Sequence, residues 1–304
     1  MNISQILANS IVRAAELGLL AVGLTMVFDI LKFANFAHAD YAILGAFLTY
    51  TFNSGLGINL FLSVLLAAIT VGAIATAIDK TIYKPLRTKG AKTVTSMITS
   101  LGVAIALRNI LQMAWTSESK TYAIAIQRPL KILGARITPI QIGIVITGLV
   151  AMVAFHLLLQ KTKFGKALRA ISDNRVLASA CAIDSGKMIQ WMWFLASGFG
   201  VIGGTMIALE HLLYPSLGFD ILIPVFCAAI LGGIGNPYGA MVGALVLALA
   251  ENVVLALDFG YIFSLGGLFK LGTLQIKTGY KPAISFVILV VVLLLRPTGI
   301  LGRK

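Results

Sequence analysis

Long apolar segments separated by short polar ones run through the whole chain. Nine such segments lie at residues 6–30, 38–52, 58–78, 94–115, 139–159, 189–213, 219–231, 238–257 and 283–295. A membrane-spanning helix needs about 20 mostly apolar residues, and most of the nine are long enough. The segments at 38–52 and 219–231 are shorter, so we expect half-helices or re-entrant pieces there. The glycine-rich apolar stretch at 259–271 is predicted to be interfacial or only partly inserted.

The composition agrees with a membrane protein. Hydrophobic residues make up 59% of the 304 residues and charged residues only 12%, whereas soluble domains contain about 45–50% apolar and about 25% charged residues. We therefore predict an all-α fold, a polytopic transmembrane helical bundle with about 8–10 membrane segments, including broken or re-entrant helices. We expect residues 1–304 to form a single transmembrane domain.

The basic residues predict the orientation. The net charge is +13, but the Lys and Arg side chains lie between apolar segments instead of on a soluble basic module, which argues against nucleic-acid binding. Fourteen of the 24 basic residues fall in the loops 79–93 and 160–187 and in the tail after residue 295. Because Lys and Arg are enriched in cytoplasmic loops, we expect both loops and the C-terminus in the cytoplasm. With nine spans the N-terminus would lie outside, and with eight or ten inside.

Four motifs lie along the chain. They read LTMVF followed by NFAH at 24–38, YKPLR at 83–87, FGKALRA at 164–170 running on to Asp173, Asn174 and Ala178, and LGGIGNPYGA at 231–240 joined to Glu251, with RPTGILG at 296–302. In this order they resemble signatures of the branched-chain amino acid ABC transporter permease family, of the type that forms the first of two paralogous membrane subunits. The family usually has glycine at Asp29 and Ala39, and Gly-Ile where this chain has Ala182-Ile183.

The resemblance implies a function and a set of partners. It implies the permease subunit of a bacterial importer in the cell (inner) membrane, which carries branched-chain or other neutral amino acids by alternating access. The implied partners are a second paralogous permease, two cytosolic ATPase subunits and an extracytoplasmic solute-binding protein. Urea or short amides are alternative substrates, because permeases for them look similar.

The first candidate for the substrate pathway is a polar break before the second segment, formed by Asn35, Phe36 and His38. Asn35 is a reasonable N-cap, and a helix that begins there would present its positive end to an anionic group such as an amino-acid carboxylate. The alternative is that Asn35 and His38 only satisfy the backbone at a kink.

A second break has the same chemistry and contains Gly232, Gly233, Gly235 and Asn236. Asn236 can cap the next helix, and Pro237 suits its first turn. Two broken segments are typical of a transport pathway, although their spacing does not divide this chain into clean halves. A purely structural role is equally compatible with the residues.

The loop at about 161–187 is the strongest functional feature. It is basic, too polar to insert and helical in its middle, with Ser172, Asp173 and Asn174 as candidate caps. The resemblance implies that it is the coupling helix, which docks into a groove of the ATPase; an ordinary basic loop is the alternative. The coupling candidates are Arg169, Ala170, Asp173, Asn174, Arg175 and Ala178.

Ionisable residues inside membrane segments cost about 2.5–3.5 kcal/mol at a helix centre and therefore need partners. Arg13 and Glu16 are three residues apart and are expected to pair. Arg108, His156 and Glu251 are expected to pair with other helices or with a partner subunit. A proton relay is an alternative, but these residues do not form an obvious series.

The chain carries no sign of catalysis. It has no GxxxxGK[ST] phosphate-binding loop, so ATP would bind to separate subunits and no cofactor is expected in this chain. No catalytic or metal-ligating pattern stands out, which predicts a transport subunit and not an enzyme. A self-sufficient secondary transporter or channel is the alternative from another class.

Overall fold

A computed structural model describes residues 3–124, 127–257, 278–295 and 298–301. Every one of the nine apolar segments forms a helix, and six of the described helices are long and apolar enough to cross a membrane. The all-α polytopic bundle is thus confirmed, while the 259–271 stretch lies outside the described residues. The helices are α1 Ile3–Leu31, α2 His38–Tyr50, α3 Leu60–Ile78, α4 Lys84–Thr88, α5 Thr93–Trp115, α6 Pro139–Lys161, α7 Lys163–Asp173, α8 Arg175–Ala180, α9 Ser185–Glu210, α10 Leu217–Gly232, α11 Pro237–Ala256 and α12 Lys281–Leu295.

Short irregular pieces extend three of these elements. π-Helical turns follow α2 at Thr51–Gly55 and α3 at Asp79–Tyr83, and a 3₁₀ turn, Thr278–Tyr280, precedes α12. An antiparallel hairpin of β1 (Leu130–Ile132) and β2 (Ala135–Ile137) lies in the loop before α6. Helix α6 runs from this hairpin directly to α7, so the hairpin and α7 lie at opposite ends of the bundle. These ends are called below the hairpin end and the α7 end.

Local sequence explains where the long helices begin. At α6 the Thr138 side chain accepts from the Gln141 N–H while the Gln141 side chain accepts from the Thr138 N–H, and Pro139 occupies the first turn. This reciprocal arrangement satisfies two otherwise unpaired backbone donors. At the other end of the bundle, Asp184 caps α9 by accepting from the Lys187 N–H, and this hydrogen bond lowers the pKa of the exposed Asp184 carboxyl.

Two helices begin inside the bundle and not at its surface. The His38 ring, at the start of α2, lies 3.0 Å from the carbonyl oxygen of Leu20, which is about 16 Å back along α1 from its last residue. The chain therefore leaves α1 at the α7 end and returns through residues 32–37 before α2 begins. Helix α10 starts at a similar depth, since a methyl group on Gly218 would lie 2.7 Å from Asp40 Oδ1 of α2.

The packing repeats with inverted direction. Helix α1 packs on α9, α10 and α11, and α9 correspondingly packs on α1, α2 and α3; α2 contacts α3 and α5 as α10 contacts α11 and α12. Within each pair of counterparts, the two helices run in opposite directions across the bundle. Inverted repeats with broken helices are common in transporters. The halves are not evident from motif spacing because α6, α7 and α8 are inserted between them.

Gly45 of α2 packs tightly against the Val201 side chain of α9. A methyl group on Gly45 would lie 2.2 Å from Val201 Cγ2, so only hydrogen fits at that position. By contrast, nothing lies within 4 Å of the same group on Gly143 of α6. The two glycines therefore form a matched pair of sites, one tightly packed and one open.

We expect Gly45→Ala to lower the thermal unfolding midpoint of the purified protein, because the methyl group forces α2 and α9 apart. Gly143→Ala should leave the midpoint unchanged or raise it, since alanine favours a helix by about 0.5–1 kcal/mol over glycine. Thermal denaturation in detergent measures both. Equal midpoints for the two variants would contradict the packing of α2 on α9.

Candidate functional site

The first break, residues 32–37, leads from α1 back into the bundle. Lys32 has a φ of 56°, which is uncommon for a residue with a side chain. Asn35 is fully buried, and its side-chain oxygen accepts from the Ala37 N–H at 3.1 Å. The predicted N-cap is wrong by two residues, because Asn35 closes a tight turn and α2 begins at His38 with Ala37 as its cap residue and no side-chain cap bond.

Phe36 fastens this break to two neighbouring helices. Its backbone N–H donates to Ser100 Oγ of α5 at 3.1 Å, and its ring stacks on Phe226 of α10 with centroids 5.2 Å apart. A backbone donor within a membrane must find its partner inside the protein, and Ser100 supplies one. The start of α2 is thereby connected to both α5 and α10.

His38 lies enclosed between helices. Its side chain is buried, and a methyl group on Gly23 of α1 would lie 2.7 Å from the ring. Gly200 of α9 faces the same ring, with a corresponding distance of 3.4 Å. In this conformation His38 packs between α1 and α9, and these helices would have to move before the ring met a substrate. Its place in the pathway stays a prediction.

The second break joins α10 to α11 through glycines. A methyl group on Gly232 would lie 2.0 Å from the carbonyl oxygen of Gly239, so the two helices meet backbone to backbone. Gly233 and Gly235 have φ values of 111° and 84°, which only glycine adopts without strain. The Asn236 side chain accepts from the backbone N–H groups of Tyr238 and Gly239. The predicted cap at Asn236 is confirmed.

The loop between α6 and α9 forms the two short helices α7 and α8. Gly165, Leu168 and Ile171 are the buried residues of α7. Gly165 packs directly on the end of α6, since a methyl group on it would lie 2.0 Å from the Leu159 carbonyl oxygen. Asn174 caps α8 by accepting from the Leu177 N–H at 3.0 Å. The helical character of this loop and the cap at Asn174 are confirmed.

The coupling candidates differ in what they contact. Asp173, Asn174 and Arg175 are exposed and Ala170 is half-buried. Arg169 donates to the carbonyl oxygen of Leu159 at 2.5 Å, and thus satisfies the C-terminal end of α6.

Ala178 is buried, because the inner side of α8 packs on α9. Its small side chain therefore serves packing within this chain. The large apolar side chains exposed on α8 are Val176 and Leu177, at 82% and 62%, and the sequence analysis did not select them.

A cleft of about 560 Å³ at the α7 end unites candidates that the sequence analysis treated separately. Its walls come from the end of α1, from α7 and from the second break. Gly235 and Asn236, assigned to the substrate pathway, line it together with Arg169 and Asp173, assigned to coupling. Asn35, Phe36, His38, Gly232 and Gly233 do not line this cleft.

A side-chain link crosses this cleft. Ser172 Oγ of α7 donates to Asp29 Oδ1 of α1 at 2.7 Å, and Lys32 Nζ lies 3.4 Å from the same carboxylate oxygen. Asp29 stands where the resembling family usually has glycine, so this chain has a carboxylate that connects α7 to the end of α1. The Ser172–Asp29 hydrogen bond thus joins α7 to the residues that lead into the first break.

Arg13, Glu16, Glu251 and His156, which were expected to need partners, all have them within the described part of the chain. Arg13 Nη1 lies 3.3 Å from Glu16 Oε2, and Arg13 Nε lies 3.5 Å from Glu251 Oε2 of α11. Glu251 also accepts a short hydrogen bond from Ser285 of α12, and His156 Nδ1 lies 3.0 Å from the Tyr238 hydroxyl. These contacts connect α1, α11 and α12, and α6 with α11.

Arg108 pairs with a residue that the sequence analysis did not select. Its Nη2 lies 3.3 Å from Asp40 Oδ1, which joins α5 to the first turn of α2. Asp40 is 1% exposed and Arg108 is 22% exposed. The available signal was the position of Asp40, which lies in an apolar segment just after a break. A carboxylate there requires a positive partner inside the membrane.

Comparison with known proteins identifies the family. Residues 6–294 match the family model described as the branched-chain amino acid transport system / permease component. The chain belongs to this family. It is accordingly a multi-pass membrane permease.

Individual relatives agree over nearly the whole chain. The high-affinity branched-chain amino acid transport system permease protein LivH of Escherichia coli (strain K12) is 30% identical over 97% of this chain and 94% of its own length. The corresponding protein BraD of Pseudomonas aeruginosa is 29% identical, with 98% and 95% covered. Among solved structures, PsaBC from Streptococcus pneumoniae in complex with Fab gives a TM-score of 0.48 at 13% identity over 96% of this chain and 92% of that chain.

We expect Asn236→Ala to destabilise the protein by about 1 kcal/mol, since α11 loses the acceptor for its first N–H groups. Asn236→Asp retains that acceptor and should lose little stability, even though it cannot donate to the Leu301 carbonyl as Asn236 does. Chemical or thermal denaturation in detergent measures the difference. An equal loss in both variants would show that the Leu301 contact, and not the cap, matters.

Proposed function

We propose that this chain is the membrane-spanning subunit of a bacterial ATP-binding-cassette importer. It translocates branched-chain or other neutral amino acids by alternating access, driven by separate cytosolic ATPase subunits. The observation that carries the proposal is the cleft at the α7 end, whose walls come from α7, the end of α1 and the second break. The cleft places α7 beside the two places where the helical path through the membrane is interrupted.

The exposed part of α7 and α8 is the proposed ATPase contact. This coupling surface consists of Asp173, Asn174, Arg175, Val176 and Leu177, all exposed. Large apolar side chains exposed on a polar end of a protein mark a binding site for another protein. The basic residue beside them favours an acidic rim on the partner. Arg169 and Ala170 support this surface from within, and Ala178 anchors it to α9.

The charge distribution supports a cytoplasmic location for the α7 end. Two polar segments of this end, from Asp79 to Lys92 and from Lys161 to Lys187, contain eleven of the 24 Lys and Arg residues. Such enrichment is typical of cytoplasmic loops. The backbone N–H groups of Ile300 and Leu301 donate to the carbonyls of Leu231 and Gly232. The segment 298–301 therefore lies at the α7 end, which supports a cytoplasmic C-terminus.

The two breaks form the proposed pathway elements, with Asn35, Phe36 and His38 in one and Gly232, Gly233, Gly235 and Asn236 in the other. Glycines with positive φ and close helix contacts allow α10 and α11 to change their angle without breaking a helix. The N-terminal ends of α2 and α10 lie at similar depth inside the bundle, where their dipoles favour an anionic group.

The proposal is tested by co-expressing the tagged chain with a paralogous permease, the ATPase subunits and the solute-binding protein of the same transporter. Purification followed by an ATPase assay should yield a complex whose hydrolysis rises with binding protein loaded with a neutral amino acid. Stimulation by urea-loaded or amide-loaded protein alone would overturn the amino-acid assignment. A chain that purifies without ATPase subunits would favour a secondary transporter or channel.

We expect the double variant Val176→Asp, Leu177→Asp to lose the ATPase subunits during purification, because two charges replace the apolar centre of the coupling surface. The matched control is Leu133→Asp, at a side chain that is 91% exposed in the turn of the hairpin. Quantitative immunoblotting of the purified complex measures ATPase per permease. Equal loss in the control, or full retention in the double variant, would contradict the location of this surface.

A further inference from the structure

Arg108 is a charged residue on a membrane-spanning helix and is only partly covered by the protein. It lies on α5, about 10 Å from the last residue of that helix, and its side chain is 22% exposed. Charged side chains inside membranes face the interior of a protein assembly or a water-filled cavity, not lipid. This side of α5 must therefore face either the transport pathway or another subunit.

The ion pair that holds Arg108 leaves part of its guanidinium available. Its Nε and Nη2 lie 3.3–3.4 Å from the carboxylate oxygens of Asp40, at the long end of hydrogen-bond distances. Among the described residues no acceptor takes a hydrogen from Nη1. A planar guanidinium with an unused edge is suited to a second carboxylate.

The surroundings of this pair also favour an anion. Asp40 lies in the first turn of α2, and Gly218 in the first turn of α10 approaches it so closely that a methyl group there would lie 2.7 Å from Oδ1. The positive ends of two helices thus converge beside Arg108. Asp40 balances the charge of Arg108, and Asp220, also in the first turn of α10, accepts a hydrogen bond from the Tyr214 hydroxyl at 2.7 Å. The two helix ends add partial positive charge beside the guanidinium.

An apolar surface adjoins the cation. The Phe219 ring is 56% exposed, and its centroid lies 5.2 Å from Arg108 Cζ. A ligand carboxylate bound at Arg108 would therefore have an aromatic face beside it for an apolar side chain. Urea and short amides have neither a carboxylate nor such a side chain.

We infer that Arg108 binds the carboxylate of the transported amino acid on its way through the membrane. Asp40 is the positioning residue that holds the guanidinium, and Phe219 contacts the apolar side chain. The inference rests on the proposed function and adds the residues that contact its substrate. If the ion pair is purely structural, we expect parental uptake in the following experiment.

The decisive variant is the double change Asp40→Asn, Arg108→Gln, which removes both charges and leaves none buried without a partner. It is reconstituted in the complete transporter in proteoliposomes with ATP inside, and uptake of radiolabelled leucine and ATPase stimulation are measured together. Arg136→Gln, which removes a positive charge from an exposed position in β2, is the control.

We expect the double variant to assemble and to keep ATPase stimulation within about twofold, while uptake falls about tenfold or more, as for the loss of one hydrogen bond to a charged group. Arg136→Gln should transport like the parent. Parental uptake by the double variant would overturn the inference, because the pair is then only structural. Loss of the partner permease on purification would also overturn it, because Arg108 is then an interface residue. Absence of leucine uptake by the parent itself would instead refute the proposed function.

Discussion

Backbone groups inside a bilayer must be hydrogen-bonded within the protein, and two helices of this chain begin at depth. At the start of α2, Asn35 accepts from Ala37 and Ser100 accepts from Phe36. At the start of α10, the carbonyl of Ser216 accepts from the N–H groups of Phe219 and Asp220. These hydrogen bonds satisfy the backbone groups at helix ends that lie inside the bundle. The same helix ends are part of the inverted arrangement of the bundle, and they set the position of the Asp40–Arg108 pair.

The same constraint bears on where the bundle can bend. A helix that continues across the membrane resists bending, whereas a break concentrates any change of angle in a few residues. The first break begins at Lys32, beside the Asp29–Ser172 hydrogen bond, and the second contains two glycines with positive φ. Both breaks therefore contribute residues to the cleft beside α7. The geometry allows a partner that displaces α7 to alter the two pathway elements together.

The sequence predicted the helices better than it predicted the contacts between them. Apolar length and polar interruptions are local properties, so the nine segments, the cap at Asn236 and the helical character of the loop at about 161–187 are confirmed. The cap at Asn35 is wrong because Asn35 closes a tight turn and the Phe36 N–H donates to Ser100 of α5, so α2 begins only at His38. Ala178 resembles an exposed docking residue in sequence, yet α8 turns it toward α9. Asp40 was not selected because its partner, Arg108, is distant in the sequence and is brought to it only by the packing of α2 on α5.

The relative placement of helices decides which residues form ion pairs and why the second break lines the same cleft as α7. Apolar patterning does not specify this placement. Motif spacing likewise hides the inverted repeat, because α6, α7 and α8 separate its halves. The central claim is that ATP hydrolysis by partner subunits drives an amino acid through this bundle. Its most direct measurement is uptake of radiolabelled leucine by proteoliposomes that contain the complete complex and external binding protein, with and without internal ATP. The account predicts accumulation only with ATP and binding protein together, and equal uptake without ATP would contradict it.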